Sequence, residues 1–436
     1  MEYFVRIFII ALVLFIPVSI ISAQETGDQV QQEKNWAVGL VARIASIPFA
    51  TGDEKTVSTL VPLIFYEGDH FFMRGIEGGI KLWRSGPWRL SFIGRMHFFD
   101  FPKEYQNRLQ GDNIDWGIQV RYQPFDLAHL DLELLSDWEG NFSSNTRLFM
   151  DLYTNGFRIN PYAELKLKSK KYNSYYYGLT LENVKGGADI SIGIIADYRV
   201  WRNFYFYGAA QLKLLDRQVR NIGFVNSDVH AQALFGVGIS NDRSKPLKET
   251  LRIKPYIRLA HGWATPTDLA KIFKFEAKKD TFNNQLTSVF YGHPLTDEIF
   301  GLPFDIYLSG GFVWHWASHV QNSAQELVIA IKLYYMFNWP IRWKLGAAEG
   351  MSYVNEIPYV ERTEMEKKGY RPSNLMNFLD FSFDFNIGDI FGGNDLKRLW
   401  IGYSIHHRSS IFEKVQQFGR IKGGSNFQTV YLQWDL

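Results

Sequence analysis

The chain has 436 residues, a formal net charge of +2 and no cysteine. So even a charge balance gives nucleic-acid binding no footing, and without cysteine there is neither a disulfide framework nor a lipid-anchoring thiol. The composition is 46% hydrophobic and 16% aromatic, with 13 Trp, 23 Tyr and 35 Phe. Beyond the amino end, no segment reaches the ~18 consecutive apolar residues of a membrane helix. A high aromatic load without such a run fits strands that each turn one face to lipid.

The amino end reads as a secretory signal over residues 1–23. Arg6 supplies positive charge, Ile7 to Ile16 form an unbroken apolar run, and Ile21-Ser22-Ala23 offers a cleavage site before Gln24. An uncleaved membrane anchor is the alternative, weakened by Pro17 and the Ser19–Ser22 region. Export without disulfides suits a bacterial envelope protein.

Period-two alternation then recurs along the chain. Ile114, Trp116, Ile118, Val120 and Tyr122 alternate with Asp115, Gln119 and Arg121. Leu130, Leu132 and Leu134 alternate with Asp131 and Glu133. Leu327 to Phe337 carry apolar residues at every second position, with Lys332 on the other face. Leu379, Phe381, Phe383, Phe385 and Ile387 oppose Asp380, Ser382, Asp384 and Asn386. The last eight residues, Thr429 to Leu436, alternate up to the carboxyl end. A soluble sandwich would alternate too. The export signal, the number of strands and the terminal strand favour an all-β, transmembrane antiparallel β-barrel, apolar outside and polar inside.

Segment counting gives about 12 strands between Trp36 and Ser240 and about 8 or 9 from Leu251 to Leu436. Asn241-Asp242-Arg243-Ser244-Lys245-Pro246 is a polar break, dividing a region 24–245 from a region 246–436. About 20 strands close as one barrel or as two smaller ones; alternation alone leaves both open. Expected loops are Phe101–Asp112, Ser169–Ser174, Asp216–Val229, Lys278–Asn284, Asn355–Asn374 and Glu413–Ser425.

The first half carries Val57-Ser58-Thr59-Leu60-Val61-Pro62-Leu63-Ile64-Phe65-Tyr66-Glu67-Gly68-Asp69-His70-Phe71-Phe72-Met73-Arg74-Gly75. It also has Tyr175-Tyr176-Tyr177-Gly178-Leu179-Thr180 and Leu234-Phe235-Gly236-Val237-Gly238-Ile239. On these segments it resembles the MipA/OmpV family of outer-membrane proteins, named for scaffolding a murein-degrading lytic transglycosylase. The resemblance spans roughly Trp36–Ser240. It implies a non-enzymatic structural or scaffolding role, an outer-membrane location and a murein-processing enzyme complex as partner.

In the second half, Trp400-Ile401-Gly402-Tyr403-Ser404-Ile405-His406-His407-Arg408-Ser409-Ser410 is similar to the His-x-Ser strand of the outer-membrane lipid A 3-O-deacylases. That resemblance implies His407 as base and Ser409 as nucleophile of a lipid A or phospholipid acyl hydrolase, acting on outer-membrane lipid and lipopolysaccharide. Residues two apart on a strand share a face, with Cα atoms about 6.5–7 Å apart. Leu399, Ile401, Tyr403 and Ile405 place His407 and Ser409 on the apolar, lipid-facing side. Two departures oppose activity. Ser410 stands where the deacylases carry Asn, and the matching face of the next strand offers Asn426 and Gln428 rather than an acid. An amide fixes an imidazole tautomer without the charge that stabilises imidazolium, a loss of about 10⁴ in turnover in serine proteases. Glu413, in the intervening loop, is the remaining acid that could orient His407.

Other constellations point to structure. His315 and His319 would share a helix face as metal ligands, but Trp314-His315-Trp316 follows a strand-like run and reads as an aromatic girdle, so no metal is expected. Asp380 and Asp384 share an inner face near Lys332, Arg342 and Lys344, as expected for ion pairs across a lumen. Arg95, Arg121, Asp131 and Glu133 suit either a polar pore or a plugged, ion-paired interior. No cofactor fingerprint is present. The expected ranking is structural scaffold, then hydrolase, then small-solute channel.

Overall fold

The computed structural model describes residues 36–436 apart from 51–54, 101–112, 155, 242–249, 370–371 and 410–423. The signal segment, the loop from Phe101 to Asp112 and Glu413 lie outside the described residues.

Two antiparallel rings answer the question that alternation left open. The first begins with β1 (Trp36–Ser46), β2 (Thr56–Glu67), β3 (Phe71–Gly75), β4 (Glu77–Ser85) and β5 (Trp88–His97). It continues through β6 (Asn113–Phe125), β7 (Ala128–Ser136), β8 (Phe142–Met150) and β9 (Leu152–Thr154). It ends with β10 (Phe157–Lys168), β11 (Gly187–Trp201), β12 (Phe204–Leu214) and β13 (Val229–Ser240). β8 and β9 both pair with β10 and form one strand interrupted at Asp151, so the ring has twelve staves. It closes where β1 meets β13, with Val41 opposite Gly236.

The second ring is β14 (Tyr256–Thr265), β15 (Gln285–Thr296), β16 (Phe304–His315), β17 (Ala324–Phe337), β18 (Trp343–Val354), β19 (Leu375–Asn386), β20 (Leu399–Ser409) and β21 (Gly424–Asp435). Here the terminal strand pairs with β14, Leu432 opposite Leu259. Closure leaves no edge whose backbone groups would face hydrocarbon unpaired.

Period-two patterning sets the faces. On β1, Arg43 and Val41 are buried inward while Leu40 and Ile44 are exposed outward. On β17, Glu326, Lys332 and Tyr334 point inward and Leu327 outward. Asp380, Ser382 and Asp384 likewise face in, and Phe383 faces out. Exposed Leu, Ile and Phe thus form an apolar outer wall on both rings.

Connections differ at the two ends. Ser85 is opposite Trp88 and Trp201 opposite Phe204, so these hairpins turn within two residues. At the other end β10–β11, β12–β13 and β18–β19 are joined by long segments that fold locally. By the usual pattern of such barrels, the short turns mark the periplasmic side. A tight connection at Gly75-Ile76 is the exception; Gly75 adopts a φ of 74°, open to glycine at little cost.

Three of the expected loops contain helices instead. Within 169–174, a helix Lys170–Tyr176 starts at Ser169, whose Oγ accepts from Tyr172 N. Asp216 caps Arg217–Arg220 in the same way through Gln218 N and Val219 N. Pro358 opens the helix Tyr359–Lys367, where a missing N–H costs nothing. Each of these segments is short and polar, with no apolar period long enough to mark a helix in the sequence.

The rings pack side by side along part of their outer walls. Trp36 joins Ile299 and Ile306 in one apolar cluster, and Met96 joins Met365 and Leu375 in another. Tyr66 Oη and His293 Nε2 are 3.0 Å apart, and the Trp138 and Tyr353 rings stack with centroids at 5.3 Å.

Candidate functional site

His407 and Ser409 lie on the outer face of β20 at its long-loop end. Across the register, His407 is opposite Asn426. The Asn426 amide is oriented from both sides: its Nδ2 donates to the Thr267 carbonyl at 2.9 Å, and its Oδ1 lies 2.6 Å from His407 Nδ1. With Nδ2 facing an obligate acceptor, Oδ1 must accept, so His407 carries its proton on Nδ1 and leaves Nε2 as a lone pair. That is the tautomer a general base requires. Gln428 is committed elsewhere, its Oε1 accepting from Tyr403 Oη at 2.8 Å. Among the described residues no side-chain hydrogen bond joins Ser409 to His407.

The lumen beside this wall holds groups that the sequence did not single out. Glu326 is fully buried; its Oε2 lies 2.7 Å from His315 Nε2 and its Oε1 3.2 Å from His406 Nε2. Ser352 donates to Glu326 and accepts from Arg408 Nη1 at 2.8 Å. Arg408 Nε donates in turn to Glu361 Oε2 at 3.0 Å, tying the helix Tyr359–Lys367 into the barrel. Burial raises the Glu361 carboxyl, and the Arg408 charge opposes that rise. Charges withdrawn from water this far persist only because each finds a partner.

His315 therefore corrects the girdle reading: it points into the lumen, and only its neighbours Trp314 and Trp316 face outward. His319 is exposed in the following loop, so the two histidines are not brought together. Deeper in the same lumen Asp380 accepts from Arg258 Nη2 at 2.6 Å and also pairs with Lys332. Arg342 pairs instead with Asp389, and Asp384 is buried without a hydrogen-bond partner among the described residues.

The wider barrel is ion-paired inside as well. Arg95 reaches Glu77 at 2.5 Å and Glu133 at 2.6 Å, Arg147 shares both acids, and Arg121 holds Asp131 at 2.7 Å. Arg43, Asp100 and His230 form another group. Towards the long-loop mouth, Tyr172, Tyr176 and Tyr177 pack with Phe49, Leu215 and Val219 into an apolar plug. Tyr176 Oη donates to Asp137 Oδ2 at 2.6 Å.

A family model described as MltA-interacting protein MipA matches residues 38–240. Proteins named MltA-interacting protein from Escherichia coli (strain K12) and Shigella flexneri are each 25% identical over 227 residues, 48% of this chain and 90% of theirs. Among solved structures, OprB of Pseudomonas putida is 8% identical, covering 92% of this chain and 94% of its own, with a TM-score of 0.25. The barrel architecture itself rests on the strand pairing described above. The matched residues end at the last residue of the twelve-stranded ring and begin two residues into its first strand. Over residues 38–240 this outer-membrane β-barrel chain matches the MipA family.

Proposed function

We propose that this protein is a structural or scaffolding component of the bacterial outer membrane, whose first barrel presents its short-turn rim to a murein-processing enzyme. The observation that carries this reading is a coincidence of bounds. The match to MltA-interacting proteins, 38–240, spans one complete closed ring rather than a fragment of a larger one. Filled lumens agree with it, because side chains occupied with one another leave the rims and outer walls for partners. Lipid and lipopolysaccharide are the partners implied by the apolar wall. The test is photo-crosslinking from a residue placed at Asp126, in the short β6–β7 turn. A murein-degrading enzyme is the expected adduct; recovery of unrelated abundant envelope proteins alone would sink the reading.

A second reading is favoured by one observation, His407 Nδ1 held on Asn426 Oδ1 with Ser409 two residues along the same lipid-facing wall. It makes the chain an acyl-ester hydrolase of outer-leaflet lipid, with Ser409 as nucleophile. Asn426 would orient the base without stabilising its cation, so turnover would be slow. Mass spectrometry of lipid A from cells with the parent or Ser409→Ala chain decides it. This reading predicts one fewer acyl chain with the parent only, and identical spectra count against it.

A further inference from the structure

The short-turn mouth of the first barrel holds cations that its own acids do not match. Lys81 Nζ donates to the Gly68 carbonyl and pairs with Glu67 at 2.6 Å, and Arg74 shares that carboxylate. Arg84 and Arg89 are different. They stand directly opposite one another on β4 and β5, and among the described residues neither has an ion pair or a side-chain hydrogen bond. Like charges at opposed positions destabilise a sheet, and among the described residues no direct ion pair offsets that cost.

Geometry adds a receptacle. A bulge between Lys81 and Trp83 shifts the register and re-aims the end of β4. Beside it is a cavity of about 300 Å³ lined by Asp69, Lys81, Leu82, Trp83, Arg84 and Arg89. Leu82 and Trp83 are half exposed, 53% and 54%, so the cavity has an apolar margin as well as a basic wall.

We propose that this cavity binds a phosphate oxyanion, carried by the headgroup of an anionic phospholipid in the periplasmic leaflet. Two guanidinium groups present planar, paired donors that fit phosphate oxygens. A bound anion removes the repulsion between Arg84 and Arg89, and an indole with a neighbouring leucine suits the glycerol and upper acyl region at a membrane interface. Free phosphate shares the headgroup chemistry and lacks the apolar part, which makes the two sources separable.

The experiment uses the full chain in nanodiscs of phosphatidylcholine, with or without phosphatidylglycerol, and native mass spectrometry to count retained lipids. A second arm titrates inorganic phosphate into pure phosphatidylcholine discs and follows its phosphorus NMR line width. Retained phosphatidylglycerol is expected for the parent, with apparent affinity falling about tenfold or more in Arg84→Gln/Arg89→Gln. Because that variant relieves a like-charge contact, its thermal stability in pure phosphatidylcholine discs should equal or exceed the parent's. Lys274→Gln, in a loop of the second barrel, should behave as the parent. Broadening of phosphate by the parent alone, without lipid retention, would keep the site and make the free anion its ligand. Indistinguishable parent and double variant in both arms would overturn the proposal.

Discussion

The two barrels solve one packing problem at different widths. Eight strands leave a lumen that strand side chains largely fill, with Tyr256, Tyr307, Tyr334, Phe290, Phe378 and Phe427 around Arg258, Lys332 and Asp380 and the one inserted helix adding Val360 and Glu361. Twelve strands leave more room. The first barrel therefore combines long arginines with inserted segments, whose Tyr172, Tyr176 and Tyr177 close the long-loop mouth. Width also changes how charge is satisfied. In the narrow lumen Glu361 has Arg408 as its one cationic partner among the described residues, whereas Glu77 and Glu133 share Arg95 and Arg147. Asp380 has two cations in the narrow lumen as well, so the contrast lies between the singly paired Glu361 and the doubly paired Glu77 and Glu133.

Mutations can break that contrast. Arg408→Leu leaves Glu361 buried with, among the described residues, the Ser425 hydroxyl alone for support, and should cost about 3–5 kcal/mol. Arg95→Leu leaves both of its acids with Arg147, and Glu133 also with Gln119 and Asn145, so about 1–3 kcal/mol is expected. Urea titrations followed by heat-modifiable gel mobility would measure both; a larger loss for Arg95→Leu would reverse the argument. The seam between the barrels should yield the smallest effect. Tyr66→Phe removes one hydrogen bond to His293 and keeps the ring contacts, for a loss of about 0.5–1.5 kcal/mol. If unfolding of the two barrels already separates into distinct transitions in the parent, the seam contributes less than this.

Alternation made most of this architecture legible. The inward set Lys332, Asp380 and Asp384 and the outward set Leu327, Phe383 and Leu432 were readable because a strand assigns faces by parity alone. The division into rings was not readable, since it depends on β13 returning to β1 and β21 to β14, pairings some 200 residues apart in the first case that no local pattern encodes. Parity put both Asn426 and Gln428 on the face of His407, and the register sets Asn426 directly opposite it. His315 was misjudged because tryptophans flank it, although parity already placed it opposite their face. Glu326 went unnoticed for a related reason: on its own strand it is a single acid beside an apolar run, and its partners come from β16, β18 and β20.

The contacts between the outer walls lie near both ends of the molecule. Trp201 stacks on Phe300 and Asn203 Oδ1 meets Phe300 N at the short-turn end, while Trp138 meets Tyr353 at the other. Two points of attachment at different depths deny either cylinder rotation about its own axis. Both periplasmic mouths then keep a fixed azimuth as well as a common direction, so a ligand or enzyme seated at one always approaches the other from the same side.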